Sequence, residues 1–217
     1  MHGSSETISY FRHMLPTWHI AAIEANGQSR GLAVLWDPAW ILAKAFRCFA
    51  SILLLANFRG IADANHILNV YAPYKDRFSY WNRFLSSQLM EIDSLMIAGD
   101  LNVTLSSDEV WGRGKKIDPM AGLIKDAILQ HNFVDICPPL IGPTWDNGRS
   151  DSAYLAKRPD HFLIHDNLLD YLGPPTSNIV NCFIFDHRPI FLQWRKHGFR
   201  KGFSFKFNRV WLGWRIQ

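Results

Sequence analysis

Short apolar runs, each closed by turn residues, fill the first third of the chain. This pattern is typical of β-strands, which are short, rich in aliphatic and aromatic residues, and bounded by residues that favour turns. It predicts five consecutive strands, at residues 18–25, 31–36, 40–46, 51–58 and 66–71. We therefore expect sheets, rather than a helical bundle, in the front part of the fold.

The apolar spacing changes after Asp76, where large apolar residues recur at intervals of three and four: Phe78, Trp81, Leu85 and Leu89. This spacing predicts an amphipathic helix packed on a sheet, with Arg77 on the solvent side. A second helix is predicted to begin at Asp118 and Pro119, because a capping residue followed by proline favours a helix start.

The remaining apolar runs predict strands at residues 95–98, 133–137, 162–164, 178–185 and 189–194, and a short helix near 168–172. The first of these strands is closed by Gly99 and Asp100, which suits a buried strand that ends in a polar loop. Many strands with few helices do not give the regular alternation of a doubly wound sheet. We therefore expect an α/β fold in which sheets pack together with helices outside.

The composition is that of one folded domain, since 48% of the 217 residues are hydrophobic and can form a core. Cys48, Cys137 and Cys182 stand far apart, which predicts neither a disulfide framework nor a zinc site. No apolar run approaches the about 20 residues of a transmembrane helix, and no secretory signal opens the chain. We expect an intracellular protein, nuclear or cytoplasmic, that does not enter membranes.

Positive charge is concentrated at the carboxyl terminus. Residues 195–217 carry seven Lys and Arg and no acid, so the net charge of +4 divides into +7 on this segment and −3 on the rest. We predict a domain at residues 1–194 and a basic aromatic tail at 195–217. Cations interleaved with Phe and Trp suit nucleic acid, and a solvated connecting segment is the alternative.

Polar residues follow the predicted strand 95–98. Asp100 and Asn102 project to the same side if the strand continues, which places a carboxylate and an amide at the end of a sheet. Such a pair can hold a water molecule and a phosphate oxygen. The alternative is an Asx turn, in which the side chain only binds the local backbone.

Four other residues carry candidate chemistry. Asp186 and His187 lie between two predicted strands, where the imidazole can donate to a phosphate and the carboxylate can bind a cation. Tyr71 ends a strand and either reaches a phosphate with its hydroxyl or merely covers the sheet end. Asp160 precedes an apolar strand and suits a cap or a partner for a histidine. The alternative for His187 is a structural polar residue.

Taken in order, these pieces resemble the endonuclease/exonuclease/phosphatase superfamily, and within it the endonuclease domain of plant LINE-type retrotransposons. The resemblance covers about residues 5 to 194 and rests on the motifs SET (5–7), GLAVLW (31–36), NVYAP (69–73), GDLN (99–102), TWDN (144–147), RPDHFL (158–163) and DHRPI (186–190). Residues 203–212 resemble the segment that leads from this domain towards a reverse transcriptase.

The resemblance implies a DNase I-like sandwich of two sheets with outer helices, in four layers, and metal-assisted hydrolysis of phosphodiester bonds in DNA. It assigns two metal ligands, Glu6 and Asp186, and five residues around the attacking water and the phosphate: Tyr71, Asp100, Asn102, Asp160 and His187. Asp100 would activate the water, and Asp160 would orient His187. The ion would be Mg²⁺, with Mn²⁺ as a substitute, and no small-molecule cofactor is implied.

The sequence also departs from the family pattern. The family has a strand ahead of the glutamate that supplies another metal ligand, and only residues 1–5 precede Glu6, so we expect this strand to be missing and Mg²⁺ to bind weakly. Phe185 replaces a usual serine, and Pro159 removes a backbone donor, which strands tolerate mainly at an edge or a start. The alternative to an active nuclease is an impaired remnant that at most binds nucleic acid. A phosphatase is the third hypothesis.

Overall fold

The computed structural model describes residues 5–24, 31–113, 116–182 and 186–194. In these ranges the helices are α1 (Ser5–Met14), α2 (Arg77–Leu85), α3 (Ala121–Gln130) and α4 (Asp166–Leu172), with short 3-10 helices at Gln88–Glu91 and Ser107–Glu109. The strands are β1 (His19–Ile23), β2 (Leu32–Trp36), β3 (Ile41–Cys48), β4 (Ser51–Phe58), β5 (Ala64–Tyr71), β6 (Leu95–Asp100), β7 (Val110–Gly112), β8 (Phe133–Asp135), β9 (Trp145–Asp146), β10 (Leu155–Lys157), β11 (Asp160–His165), β12 (Thr176–Ile179) and β13 (Ile190–Gln193). The predicted tail, residues 195–217, lies outside the described residues.

A six-stranded sheet organises the fold, in the order β3-β4-β5-β6-β11-β8. Its neighbouring strands are antiparallel except β5 and β6, which run parallel. Parallel neighbours need a crossover connection, and α2 with the 3-10 helix that follows it supplies this connection. Because β5 and β6 run in the same direction, Tyr71 and Asp100 lie side by side at one end of the sheet.

Both faces of the six-stranded sheet are covered. Helices α2 and α3 contribute to the larger core, whose buried side chains include Leu68, Trp81, Phe84, Ile97 and Ile124. The β1–β2 hairpin packs at β4 in a second core, formed by Ala21, Trp36, Ile52, Leu54 and Ala56. Alternate residues of β4 therefore serve the second core, as the two-residue period of a strand requires. The predicted mixed α/β fold, with several sheets and helices packed on them, is confirmed.

The remaining strands form smaller sheets. Strands β7, β10 and β9 pair in that order, and β12 pairs with β13. An isolated bridge joins Trp145 to His187, and the backbone N of Arg188 donates to the O of Thr144 at 2.6 Å. These contacts fix the segment that carries His187 beside residues 144–145.

The structure corrects two details of the predicted helix α2. Arg77 is not in solvent, because its guanidinium donates to the backbone O of Asn102 and to Asp118. Phe78 is 65% exposed, whereas Phe84 is fully buried. The buried stripe therefore starts one turn later than predicted, at Trp81, and the first turn of the helix lies outside the core.

Other boundaries also differ from the predictions. Helix α3 begins at Ala121 rather than at Pro119, because Asp118 accepts from the backbone N of Met120 and forms a turn ahead of the helix. The short strands β7 and β10 and helix α1 were not predicted. The strand predicted at residues 178–185 is β12, which ends at Ile179, and residues 183–185 lie outside the described part. Among the helices of that part, none has the length and apolar character needed to cross a bilayer.

Candidate active site

Three of the predicted site residues meet at one end of the central sheet. Asp100 is the last residue of β6, and Asp160 is the first residue of the antiparallel strand β11. The strand register places Asp160 directly opposite Asp100 and places Tyr71, at the end of β5, beside Asp100 on its other side. The sheet therefore brings together residues that are 29 and 60 positions from Asp100 in the sequence.

Gly99 makes the close approach of β5 and β6 possible at this point. Its φ is +127°, and an added Cβ would lie 2.2 Å from the backbone O of Val70. No larger residue fits in this space, and an L side chain rarely adopts this backbone conformation. The glycine therefore fixes the position of Asp100 relative to the end of β5.

Asp100 and Asn102 form a local turn. The backbone N of Asn102 donates to Oδ1 of Asp100 at 2.8 Å, and Asn102 has a φ of +50°. This is the Asx turn that the sequence left open as an alternative. The side-chain amide of Asn102 also donates to the backbone O of Ala72. Only Oδ1 of the Asp100 carboxylate takes part in this turn, and Oδ2 does not.

His187 sits between two carboxylates. Its Nδ1 lies 2.9 Å from Oδ2 of Asp160, and its Nε2 lies 3.8 Å from Oδ2 of Asp100. Thr144 donates its hydroxyl to the same oxygen of Asp160 at 2.6 Å. The predicted contact between Asp160 and His187 is therefore present, and Thr144 is an additional residue that holds the aspartate.

Burial and neighbouring charge shift the acid–base properties of this group. Burial and the nearby Asp160 raise the pKa of Asp100 to about 7, although the hydrogen bond from Asn102 opposes the change. Burial alone would lower the pKa of His187, but the hydrogen bond and charge of Asp160, with the charges of Asp100 and Asp186, raise it overall. At neutral pH Asp100 is thus close to its titration point.

The remaining predicted residues are Tyr71, Asp186 and Glu6. Tyr71 is half-buried beside Asp100, and Asp186 is exposed next to His187. Glu6 lies in helix α1, but its predicted role concerns a side chain outside the described part of the structure. The structure therefore brings Asp100, Asn102, Asp160 and His187 together directly, and the assigned roles remain predictions.

An open cleft of about 570 Å³ adjoins His187. It is lined by residues of β9 and the following turn and by residues near β13: Trp145, Asp146, Asn147, Gly148, Asn181, Cys182, Asp186 and Arg188. Arg188 donates to Asp146 at 3.0 Å, so one wall of the cleft is held by an ion pair. The exposed carboxylate of Asp186 opens into a volume large enough for several water molecules.

A buried charged cluster lies behind the strand that carries Asp160, and the sequence did not reveal it. Arg158, 2% exposed, contacts Glu109 at 2.5 Å and Asp135 at 3.0 Å. Nδ1 of the fully buried His161 lies 3.2 Å from Asp135. Burial opposes the charged forms of Asp135 and Arg158. The contacts with His161 and Arg158 nevertheless lower the pKa of Asp135. The neighbouring carboxylates raise the pKa of Arg158.

The same cluster contains a set of groups whose spacing could hold a metal ion. One ligand atom each from Glu109, Asp135 and His161 lies within 4.8 Å of the others. Arg158 already binds both carboxylates, so a divalent ion there would meet a guanidinium charge. Mg²⁺ also prefers oxygen ligands and retained water to a buried imidazole. The donor set therefore fits a buried ion-pair network better than a magnesium site.

Comparison with known proteins shows similarity at the level of structure. No protein-family model and no curated protein matches the sequence. The endonuclease domain of TRAS1, a telomere-specific non-LTR retrotransposon, is 15% identical with a TM-score of 0.62, over 83% of this chain and 81% of that one. The AP endonuclease LMAP from Leishmania major is also 15% identical, with a TM-score of 0.65, over 89% of this chain and 75% of that one.

A third solved structure is similar to the chain at lower identity. An endonuclease/exonuclease/phosphatase family protein from Bacteroides thetaiotaomicron is 10% identical, with a TM-score of 0.54, over 87% of this chain and 79% of that one. At these identities the similarity concerns the backbone. The chain has the DNase I-like fold of endonuclease/exonuclease/phosphatase proteins, as the motifs implied.

Proposed function

We propose that the chain is a metal-dependent endonuclease-type domain of retroelement origin that hydrolyses phosphodiester bonds in DNA. The observation that carries the proposal is the hydrogen-bonded pair of His187 and Asp160 facing Asp100 at the end of the central sheet. Two of the similar structures are endonucleases by name, and one of them belongs to a non-LTR retrotransposon. We assign the activity to residues 1–194 and regard 195–217 as a basic tail.

Asp100 is the proposed general base. Its Oδ1 is engaged by the backbone N of Asn102, so Oδ2 remains to accept a proton from the attacking water. A carboxylate whose pKa is about 7 accepts a proton at neutral pH more readily than an ordinary aspartate does. Burial of this carboxylate therefore supports catalysis although it opposes ionisation.

His187 is the proposed phosphate donor. Its Nδ1 is held by Asp160, and Thr144 holds Asp160, so Nε2 is the nitrogen that faces Asp100 and the site. The raised pKa of His187 favours the imidazolium, in which both nitrogens donate. Nε2 then donates to a phosphate oxygen, and we assign Asn102 and Tyr71 to contacts with the same phosphate. This arrangement stabilises negative charge as it develops.

The cleft beside these residues is the proposed site of a divalent ion. Asp186 offers an exposed carboxylate in an open volume of about 570 Å³, and Mg²⁺ typically binds one or two carboxylates while it keeps several waters. Asp186 would hold Mg²⁺ or Mn²⁺, with Glu6 as the proposed second ligand. The bound ion would neutralise charge on the scissile phosphate.

The proposed cellular setting is intracellular, in the nucleus or the cytoplasm. Cys48, Cys137 and Cys182 are all free thiols in the structure. Free thiols are typical of reducing compartments, where disulfides are rare. A nucleic-acid substrate agrees with this location.

Nicking of supercoiled plasmid tests the proposal. We expect conversion to open circles with Mg²⁺ or Mn²⁺ and no conversion with a chelator. Asp100→Asn and His187→Ala should each lower the rate at least about a hundredfold, the range of a lost general base or charge-stabilising donor. Asp126→Asn, at an exposed position on α3, is the matched control and should cleave like wild type.

Three outcomes would reject parts of the proposal. Cleavage that survives Asp100→Asn or His187→Ala would show that the site lies elsewhere or that a contaminating nuclease acts. Metal-independent DNA binding by a wild type that never nicks would favour the impaired nucleic-acid-binding remnant. Release of phosphate from a small phosphomonoester, without nicking, would instead favour a phosphatase.

A further inference from the structure

Large exposed side chains border the candidate site. Tyr74 is 80% exposed, Phe78 is 65% exposed and Ile117 is 68% exposed. They belong to two segments that are about 40 positions apart in the sequence, one after β5 and one before α3. We call the exposed side chains of these segments the aromatic rim: Tyr74, Lys75, Phe78, Lys116 and Ile117.

One arginine joins the two segments. The guanidinium of Arg77 donates to the carboxylate of Asp118 at 2.8 Å. Because Phe78 follows Arg77 and Ile117 precedes Asp118, the exposed apolar side chains lie on neighbouring stretches of backbone. The rim is therefore one surface rather than a set of scattered apolar residues, which would need no explanation.

The same arginine joins the rim to the candidate site. Arg77 also donates to the backbone O of Asn102 at 2.5 Å, and Asn102 is bonded to Asp100. On the other side of Tyr74, the backbone N of Ala72 donates to the O of Asp100 at 2.8 Å. Tyr74 therefore lies two residues from a direct backbone contact with the proposed general base.

The charge of this surface complements a polyanion. Lys75 and Lys116 are exposed, and Asp76 is the one exposed acid between Tyr74 and Phe78. Arg77 and Asp118 neutralise each other. The local excess of positive charge suits backbone phosphates, and aromatic side chains among such cations suit bases that stack on them.

We infer that the aromatic rim binds unpaired nucleotides next to the phosphodiester bond that the site cleaves. In a duplex, neighbouring base pairs cover the faces of each base, whereas an unpaired nucleotide can place a base against Tyr74 or Phe78. The inference rests on the proposed function and adds a substrate class to it. Single-stranded or locally melted DNA is favoured over intact duplex.

Metal-free binding measures this preference directly. The probes are a short single-stranded oligonucleotide that contains 2-aminopurine and the duplex of the same sequence, and chelator is present throughout. Stacking on an aromatic ring quenches 2-aminopurine fluorescence. We expect wild type to bind the single strand more tightly and to quench it, and Tyr74→Ala or Phe78→Ala to weaken that binding about tenfold each.

Two control variants separate stacking from charge and from general surface effects. Tyr171→Ala removes a tyrosine that is 51% exposed on α4, at the opposite end of β11 from Asp160, and should change neither affinity. Lys75→Ala combined with Lys116→Ala should weaken single-strand and duplex binding by the same factor and lower the salt dependence of both.

Equal wild-type affinity for the two probes would overturn the inference, as would unchanged single-strand affinity in the Tyr74→Ala, Phe78→Ala double variant. These readings do not depend on cleavage, because no metal is present. Failure of wild type to nick plasmid would reject the proposed nuclease while the binding result on the rim still stands. Preferential binding of intact duplex would show that only the cations of this surface contact DNA.

Discussion

The Nδ1 atom of His187 lies 2.9 Å from Oδ2 of Asp160, although 27 positions separate the two residues in the sequence. Asp160 belongs to the central sheet, whereas His187 reaches it from a segment that is anchored at residues 144–145. Thr144 contributes to both contacts, because its hydroxyl binds Asp160 and its backbone O accepts from Arg188. One threonine therefore couples the placement of the histidine to that of its carboxylate.

Replacing Asp160 by Asn should lower the pKa of His187, because the neutral amide no longer favours the imidazolium. Titration of the His187 ring protons by NMR measures this change. Asp146→Asn is the control, since that carboxylate pairs with Arg188. An unchanged His187 titration in Asp160→Asn would contradict the observed pairing.

Replacing Asp100 by Asn should abolish plasmid nicking and, at pH 8, raise the free energy of unfolding. The pKa of Asp100 is higher in the folded chain, about 7, than its ordinary value of 3.8, so the folded state holds its proton more tightly. The free energy of unfolding therefore falls as pH rises from about 4 to 7. The raised pKa of His187 acts in the same direction, because its stabilising contribution exists at low pH and is lost as the imidazolium deprotonates.

Asn cannot ionise, so Asp100→Asn should be more stable than wild type at pH 8 by roughly 2–4 kcal/mol and about equal at pH 4. Urea unfolding at both pH values measures the difference, and plasmid nicking should be lost in the same variant. Asp126→Asn, on the exposed face of α3, should leave the pH dependence as in wild type. Equal destabilisation by Asp100→Asn at both pH values would rule out a costly buried carboxylate.

Arg158→Met should destabilise the fold by about 3–5 kcal/mol, because Glu109 and Asp135 lose their shared cation inside the protein. The matched control is Arg188→Met, whose ion pair with Asp146 is partly exposed; it should cost about 1 kcal/mol or less. Thermal unfolding of the two variants compares them. Similar losses in both would show that burial of the Arg158 cluster does not determine its energy.

Gly99→Ala should destabilise the fold by more than about 3 kcal/mol, since its Cβ would overlap the backbone O of Val70 and its φ is +127°. Gly122→Ala is the opposite case, because this glycine lies in α3 with open space around it. That substitution should stabilise the protein by about 0.5–1 kcal/mol. Tolerance of alanine at position 99 would show that β5 and β6 can move apart.

Removal of residues 195–217 should weaken binding to generic DNA and flatten its salt dependence. This segment carries seven Lys and Arg, and the rest of the chain has a net charge of −3. Each lost phosphate contact lowers the slope of log affinity against log salt by about 0.9 for duplex DNA. An unchanged slope in the truncated protein would show that the tail is only a connecting segment.

The sequence predicted the features that depend on local residue patterns, namely the first five strands and the position of Asp100. The five strands between residues 18 and 71 follow from short apolar runs closed by turn residues, and the structure places β1 to β5 there. The motif around Asp100 also indicated its position at a strand end. Helix α1 was missed because the polar residues at its start were interpreted as an unstructured terminus.

Long-range contacts left no local signal. Arg158 meets Glu109 and Asp135 across 49 and 23 positions, and nothing near Glu109 in the sequence indicates a buried acid. The contact of Thr144 with Asp160 spans 16 positions and depends on the pairing of β10 with β9. Phe78 was assigned to the core because spacing gives the period of a helix but not where the sheet beneath it ends.

The direct pairing of Asp160 with Asp100 across β11 and β6 makes the site unequally vulnerable to different kinds of sequence change. A substitution near these strands alters one side chain. A one-codon insertion or deletion within either strand shifts the register, and every side chain beyond it then points to the other face of the sheet. Such a chain would retain much of its core through a compensating bulge and still separate the two aspartates, so a one-residue indel in β6 or β11 disrupts the candidate site more than a single substitution does.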